Sequence, residues 1–338
     1  MKGYLLLAAA VAVLLLLIPL PALPHGERPD APERSDAAPT PDDTSLPAPS
    51  RTDGPAQEEA VFRVLCADGQ TVETLSEREF LIRTLAFEMP PTYHAQALRA
   101  QAVAAYTYYG RRRAVQREKP DAALKGADFA APGKDFPAAY APQALKERWG
   151  AQYEAYRNKL CAAVDDVAGK RVLCGGQPID ACFFACSAGS TEAAAVVWGS
   201  EVSYLVPVAS PGDRLCPTLT STVTLTAQQV RQALAAEDGI ALPEDPAAWF
   251  AAPERSAAGT VAEQSVGGKT LTGTRLRALF GLRSACFTVA YADGAFTFTV
   301  QGYGHRVGMS QYGADYLARQ GFSYDEILRY YYTGTTVE

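Results

Sequence analysis

The chain has 338 residues, of which 48% are hydrophobic and 20% charged, with a formal net charge of −6. This length and apolar fraction suit one large domain or two ordinary ones, and they exclude a wholly disordered chain, a collagen and a multi-span membrane protein. The mild acidity argues against a nucleic-acid partner, because such proteins normally carry a basic face or stripe.

The first predicted element is the uncharged apolar run of residues 4–23, YLLLAAAVAVLLLLIPLPAL. A helix of this length crosses about 30 Å of hydrocarbon. A cleaved secretory signal is one interpretation of this run. We favour an uncleaved single-pass anchor, because the run is long and prolines crowd the place of a cleavage site. Lys2 precedes the run, and no basic cluster follows closely, so we predict a cytoplasmic N-terminus in the cell membrane and an extracytoplasmic remainder.

Residues 24–59 form the next segment, which has no aromatic residue and contains eight of the 23 prolines. This composition cannot bury enough apolar area to offset the entropy of ordering, so it predicts a disordered linker. The segment holds nine acidic residues and three arginines, so it carries most of the net charge. The remaining residues, 60–338, are nearly neutral.

Residues 60–338 are predicted to form one mixed α+β domain. Strand patterns at Cys286–Tyr291 and Ala295–Gln301 flank Asp293-Gly294, which favours a β-hairpin. A further strand is expected at Ser221–Leu225, followed by a helix that starts near Thr226. Strands and helices alternate without a strict βαβ rhythm, which is typical of α+β folds.

The most informative helix lies between a start signal and a stop signal. Ser76 followed by Glu79 is a capping-box pattern, and Pro90 and Pro91 predict an end near Glu88. A second helix is expected after the two prolines, through the run HAQALRAQAVAAYTYYGRRR.

Glu88 follows Leu81 and Leu85 at helical spacing, so its carboxylate projects from an apolar stripe. Burial and the negative end of the helix dipole both raise the pKa of a carboxyl group there. A general acid that works near neutral pH needs such a pKa. The alternative interpretation is an ordinary solvated residue at a helix end.

Four blocks, in order, resemble the stage II sporulation protein D family. They are EMPPTYHAQALRAQAVAAYTY, FFACSAGSTEAAAVVWGSEVSYLVPVASPGD, LTGTRLRALFGLRSACFTV and GYGHRVGMSQYGADYLARQGFSYDEILRYYYTGT. Together they span nearly all of residues 60–338, behind the expected anchor.

This resemblance implies a lytic transglycosylase that cleaves peptidoglycan glycan strands during the engulfment step of endospore formation. The proposed catalytic acid of the family falls on Glu88. In this chemistry the C6 hydroxyl of N-acetylmuramic acid attacks C1 of the same sugar, so one carboxylate suffices and the product is a 1,6-anhydro end. A hydrolase would need a second carboxylate.

The matched blocks also supply candidate substrate-binding residues: His305, Ser310, Gln311, Tyr312, Tyr106, Glu192 and Asp213. His305 lies in a glycine-rich stretch after the hairpin, where a structural turn is the alternative role. Three positions depart from the family pattern. Tyr106 stands in place of arginine, Phe184 in place of histidine and Arg306 in place of glycine, and each departure is expected to weaken or retune sugar binding.

Seven cysteines in an exported chain suggest disulfides plus one odd thiol. Pairing of Cys161 with Cys174, or of Cys182 with Cys186, is open. Cys182 and Cys186 are also a weak zinc pattern, but with few histidines nearby we expect no metal or other cofactor. Cys186 with His305 as a cysteine-hydrolase pair is disfavoured, because no orienting residue is evident.

The resemblance also implies partners, namely a wall amidase and a multi-span membrane protein of the engulfment machinery. The main alternative function is a non-catalytic, wall-binding modifier that enhances a partner amidase. In that case Glu88 would bind substrate or have a structural role.

Overall fold

The computed structural model describes residues 60–338, so the expected anchor (4–23) and linker (24–59) lie outside the described residues. The described part is a mixed α+β structure, as the sequence predicted. Its helices are α1 (Glu77–Glu88), α2 (Ala95–Glu118), α3 (Pro142–Trp149), α4 (Tyr153–Asp165), α5 (Ala194–Trp198), α6 (Ala227–Leu234), α7 (Gly273–Phe280), α8 (Gln311–Arg319) and α9 (Tyr324–Tyr331).

The strands form several small sheets. They are β1 (Val61–Leu65), β2 (Val72–Ser76), β3 (Phe129–Ala130), β4 (Val172–Cys174), β5 (Gln177–Pro178), β6 (Phe183–Phe184), β7 (Thr220–Thr226), β8 (Glu254–Arg255), β9 (Val261–Val266), β10 (Lys269–Thr272), β11 (Phe287–Ala292), β12 (Ala295–Gln301), β13 (Met309–Ser310) and β14 (Thr336–Val337). The sheet orders are β2-β1-β3, β10-β9-β8, β11-β12-β7, β13-β6 and β14-β4-β5.

Helix α1 begins and ends where the sequence predicts. The Ser76 hydroxyl accepts a hydrogen bond from the backbone N–H of Glu79, and extended backbone at Met89 closes the helix before Pro90. The Glu79 carboxylate does not complete the capping box, because it pairs with Arg83 instead. Helix α2 starts one turn after the two prolines, with the His94 side chain as its N-cap.

The predicted hairpin is confirmed as β11 and β12, which pair in antiparallel register. Asp293 and Gly294 have φ values of 50° and 78°, the left-handed pair that a tight two-residue hairpin turn requires. Strand β7 adds to the other edge of β12 and leads into α6 through the Thr226 capping box, as predicted. The hairpin strand ends just before the glycine-rich stretch that carries His305.

Two hydrophobic clusters stabilise the described residues. The larger one packs α1, α2, α4, α8 and α9 against the β1 sheet, and the smaller one packs α6 and α7 against the hairpin sheet around Trp249 and Phe298. Glu88 belongs to a helix of the larger cluster, whereas His305 follows a strand of the smaller one. The apolar residues around Glu88 in the candidate site, among them Tyr109, Phe129 and Phe183, belong to the larger cluster or pack against it.

Within residues 60–338, no helix has both the length and the apolar character that crossing a bilayer demands.

Candidate active site

Glu88 is the last residue of α1 and opens on a cavity of about 460 Å³. Met89, which is 2% exposed, fixes the helix end in the core, and its backbone N–H donates to the Leu85 carbonyl at 3.0 Å. The cavity is lined by Glu88, Tyr108, Tyr109, Arg112, Phe129, Ala130, Ala131, Pro132, Cys182, Phe183, Trp198 and His305. Among the described residues, Glu88 is the only carboxylic acid in this lining.

Burial raises the pKa of Glu88 to about 7. The opposing influence is one hydrogen bond, in which Nε2 of Gln311 donates to Oε2 of Glu88 at 3.1 Å. Near neutral pH the carboxyl group therefore exists both as acid and as carboxylate. A group in this state can give a proton to a bound molecule and take one back.

Gln311, at the start of α8, is 4% exposed. Its Nε2 also lies 3.5 Å from Oε1 of Gln101, a fully buried residue of α2. Two helices therefore hold the amide that meets Glu88, which fixes one carboxylate oxygen and leaves the other available to the cavity.

Ser310 and Asp213 stabilise the N-terminal end of α8, which carries Gln311. The Ser310 hydroxyl accepts from the backbone N–H of Gly313 as the N-cap of α8, and it donates to Oδ1 of Asp213 at 2.7 Å. Oδ2 of Asp213 accepts from the backbone N–H and the hydroxyl of Ser187, at 2.8 and 2.5 Å. Both residues are fully buried and outside the cavity lining, so in this structure they position α8 rather than face a ligand.

His305 lines the same cavity as Glu88. Burial and the charge of Arg277 lower its pKa to about 4, while a hydrogen bond with the backbone of Phe183 acts in the other direction. Nδ1 of His305 accepts from the Val307 N–H at 3.1 Å, which assigns the proton of the neutral ring to Nε2. A neutral imidazole near pH 7 is suited to a polar wall rather than to proton transfer.

The other predicted binding residues lie elsewhere. Glu192 is 1% exposed and accepts from the Ser256 hydroxyl at 2.5 Å. The Tyr312 hydroxyl donates to the Leu215 carbonyl at 3.0 Å. The Tyr106 hydroxyl accepts from Arg171 at 3.1 Å, and its ring lines a separate cavity beside α4. The structure thus brings together Glu88, Gln311 and His305, and sugar contacts by Glu192, Tyr312 or Tyr106 remain predictions.

Arg306, the departure from glycine, has a structural position in this chain. It has a φ of 68° and is 1% exposed. Its guanidinium donates to the Ala258 carbonyl at 2.7 Å, the Thr260 hydroxyl at 2.9 Å and the Ser190 carbonyl at 3.2 Å. The side chain therefore connects the β8–β9 turn to the loop before α5 and is not part of the cavity lining.

Most lining side chains were not site candidates in the sequence, among them Tyr108, Arg112, Phe183 and Trp198. The Arg112 guanidinium stacks over the Tyr108 ring at 4.7 Å, on the α2 side of the cavity. Trp198 lies in the second family-like block, before a glycine, and it is 49% exposed. The sequence signal that could have identified Trp198 as a site residue is a large aromatic residue at the end of a helix, next to a glycine.

All seven cysteines, which lie within the described residues, are free thiols. Neither of the two pairings considered from the sequence, Cys161 with Cys174 or Cys182 with Cys186, is formed. Cys182 lines the cavity, and the Cys186 thiol has Cys216 as its hydrogen-bond partner. Within residues 60–338, no three or more histidine, cysteine or acidic side chains are grouped so that they could hold a metal ion.

Comparison with known proteins identifies the class. Residues 67–173 match a family model described as SpoIID, stage II sporulation protein. Stage II sporulation protein D of Bacillus subtilis (strain 168) is 37% identical over 268 residues, which cover 79% of this chain and 76% of the relative. Stage II sporulation protein D of Bacillus amyloliquefaciens is 33% identical over 346 residues, covering 100% of this chain and 96% of the relative.

These matches define a sporulation protein. The chain belongs to the stage II sporulation protein D family. It is also similar to a protein named amidase enhancer from Bacillus subtilis (strain 168), at 27% identity over 302 residues that cover 74% of this chain and 39% of that protein.

Proposed function

We propose that this protein is a membrane-anchored lytic transglycosylase that cleaves peptidoglycan glycan strands during sporulation engulfment. The bond cleaved joins N-acetylmuramic acid to N-acetylglucosamine. The observation that carries this proposal is one carboxylic acid, Glu88, with a pKa of about 7, on a cavity whose lining within the described residues holds no second acid. A hydrolase with two carboxylates does not fit this lining.

The protonated Glu88 gives its proton to the glycosidic oxygen as the bond to C1 breaks. The resulting carboxylate then accepts the proton of the C6 hydroxyl of the same muramic sugar, whose oxygen bonds to C1. The product is a 1,6-anhydro end, and Glu88 is protonated again. Because the attacking hydroxyl belongs to the substrate, attack is intramolecular and needs no activated water.

Two features support the division of roles within the site. Gln311 donates a hydrogen bond to one oxygen of Glu88, which orients the carboxyl group at the cavity. His305 stays neutral near pH 7 and contributes a hydrogen-bonding wall without competing for the proton.

The test is product analysis with the full chain. Glycan strands, both intact and stripped of stem peptides, are incubated with wild type and Glu88→Gln, and the ends are identified by mass spectrometry. We expect anhydro ends from wild type and a loss of about 10²- to 10⁴-fold in the rate of Glu88→Gln. Glu244→Gln, at an exposed position, is the matched control and should retain activity. Reducing ends would instead indicate hydrolysis.

The rate should also depend on pH in a defined direction. Since the protonated form of Glu88 starts the reaction, cleavage should slow as pH rises through about 7. A rate that stays constant from pH 6 to 9 would be incompatible with Glu88 as the acid.

The relative named amidase enhancer favours a second candidate function, a wall-binding modifier that stimulates a partner amidase. This function predicts no glycan cleavage on any strand type, and stimulation of an added wall amidase that persists in Glu88→Gln. The wall amidase, a multi-span membrane protein and the membrane itself through residues 4–23 are proposed partners under either function.

A further inference from the structure

Trp198 is a tryptophan whose side chain is half exposed and lines the candidate active-site cavity. It ends α5, and Gly199, with a φ of 77°, turns the chain immediately after it. Its side chain is 49% exposed, yet it lines the same cavity as Glu88 and His305. A large aromatic ring left half in water at the lining of a cavity buries little apolar area in the folded chain.

The other two tryptophans are packed differently. Trp249 is 1% exposed, stacks on Phe296 at 5.3 Å, and donates its indole N–H to the Pro243 carbonyl. Trp149 packs against Tyr156 at 5.6 Å. Within the described residues Trp198 has one aromatic neighbour, His305, whose ring centroid lies 5.4 Å away with the planes at 51°.

The surroundings of Trp198 are suited to a sugar. Its neighbour His305 remains neutral near pH 7, so the imidazole itself adds no charge beside the indole. On the α2 side, Tyr108 and Arg112 provide a second ring and hydrogen-bond donors in the same cavity. Pyranose rings have one apolar C–H face and a polar rim, so a ring can stack on an indole while its hydroxyl and amide groups reach such donors.

We propose that Trp198 is the stacking platform of a sugar subsite next to Glu88, and that it binds one pyranose ring of a β-1,4-linked N-acetylhexosamine strand. This assignment rests on the proposed function. Stacking removes apolar surface of both rings from water. It also fixes the position of the strand along the cavity, so that the scissile oxygen meets the Glu88 proton. Trp198 is therefore a positioning residue.

The test separates this assignment from the proposed function by using Glu88→Gln, which binds without cleaving. Affinity for stem-peptide-free glycan strands is measured by titration with the full chain. Adding Trp198→Ala should weaken binding about tenfold or more, whereas adding Trp198→Phe should restore most of it, because a smaller ring still stacks. Phe322→Ala, at an aromatic residue 36% exposed outside the cavity, is the control and should bind as its parent does.

A spectroscopic readout distinguishes stacking from a structural effect. Strand binding should protect tryptophan fluorescence from acrylamide quenching in Glu88→Gln, and Trp198→Phe should abolish that protection while circular dichroism stays unchanged. In the active background, Trp198→Ala should raise KM with a smaller effect on kcat.

The contrary outcomes are distinct. Undiminished binding and unchanged quenching protection in Trp198→Ala overturn the platform and leave the proposed function standing. If Glu88→Gln binds no strand at all, both proposals fail. If Trp198→Ala binds strands normally but no longer stimulates an amidase, Trp198 contacts a protein and the sugar assignment is wrong.

Discussion

Two acids of this protein, the partly buried Glu88 and the fully buried Asp213, both contact the N-terminal end of α8 and have opposite characters. Burial raises the pKa of both. Glu88 receives one hydrogen bond, from a side-chain amide, and lines a cavity. Asp213 is fully buried and receives three, from Ser187 and Ser310.

The difference shows what separates a reactive acid from a structural one. The bonds to Asp213 stabilise its charged form and oppose the effect of burial, so its carboxylate is tied into the fold. At Glu88 only one hydrogen bond opposes the effect of burial on the pKa, and the carboxyl group is open to the cavity. Its proton is therefore exchangeable near neutral pH. The comparison can be tested by removing each acid and its partners in turn.

The largest expected effect on stability comes from Asp213→Ala. It leaves three buried donors on Ser187 and Ser310 without an acceptor, and we expect a loss of about 3 kcal/mol or more in the free energy of unfolding. Urea unfolding of the full chain measures this loss. Ser187→Ala removes only part of the network and should cost about 1 kcal/mol, which keeps the test informative if Asp213→Ala does not fold. No loss in either variant would contradict a structural role for Asp213.

Substitution of Glu88 is expected to change the free energy of unfolding in the opposite direction. Its folded-state pKa of about 7 exceeds the ordinary 4.5, so the folded state binds more protons between these values and stability falls as pH rises across them. Glu88→Gln should therefore be more stable than wild type above pH 7, by on the order of 1–3 kcal/mol, with little difference near pH 4. Unfolding curves at both pH values measure this. Glu244→Gln should show no such gain, and a Glu88→Gln variant destabilised at pH 8 would contradict the account.

The smallest effect is expected from Gln311→Leu, and it is an effect on the pH dependence of the cleavage rate. The amide of Gln311 stabilises the charged form of Glu88, so its removal should raise the pKa of Glu88 and move the alkaline limb of the pH–rate profile to higher pH. Since the bond contributes about 1 kcal/mol, rates should change less than about tenfold at any pH. Gln320→Leu, at an exposed residue of the same region, is the control. A limb that moves to lower pH would show that Gln311 acts in another way.

Local signals predicted the part of the site that depends on one helix. The Ser76 cap, the two prolines and the spacing of Leu81, Leu85 and Glu88 correctly placed a carboxylate at a buried helix end. The Asp293-Gly294 turn likewise predicted the hairpin. These features depend on residues a few positions apart, which sequence patterns represent well.

Features that depend on distant partners were not predictable in the same way. Tyr106 was assigned to the sugar site from the matched blocks, which could not show that its hydroxyl meets Arg171, 65 residues away. Glu192 meets Ser256, 64 residues away. Arg306 was expected to alter sugar binding, and its three acceptors come from two separate loops. Trp198 is defined by a cavity that exists only in the folded chain.

A direct titration tests whether Glu88 holds an exchangeable proton near neutral pH. The full chain is labelled with ¹³C at the glutamate side-chain carboxyl, and the Glu88 resonance is assigned by its absence in Glu88→Gln. We predict a midpoint near pH 7, well separated from the exposed glutamates. A midpoint near 4.5 would show that Glu88 is an ordinary solvated carboxylate and would contradict its role as the acid.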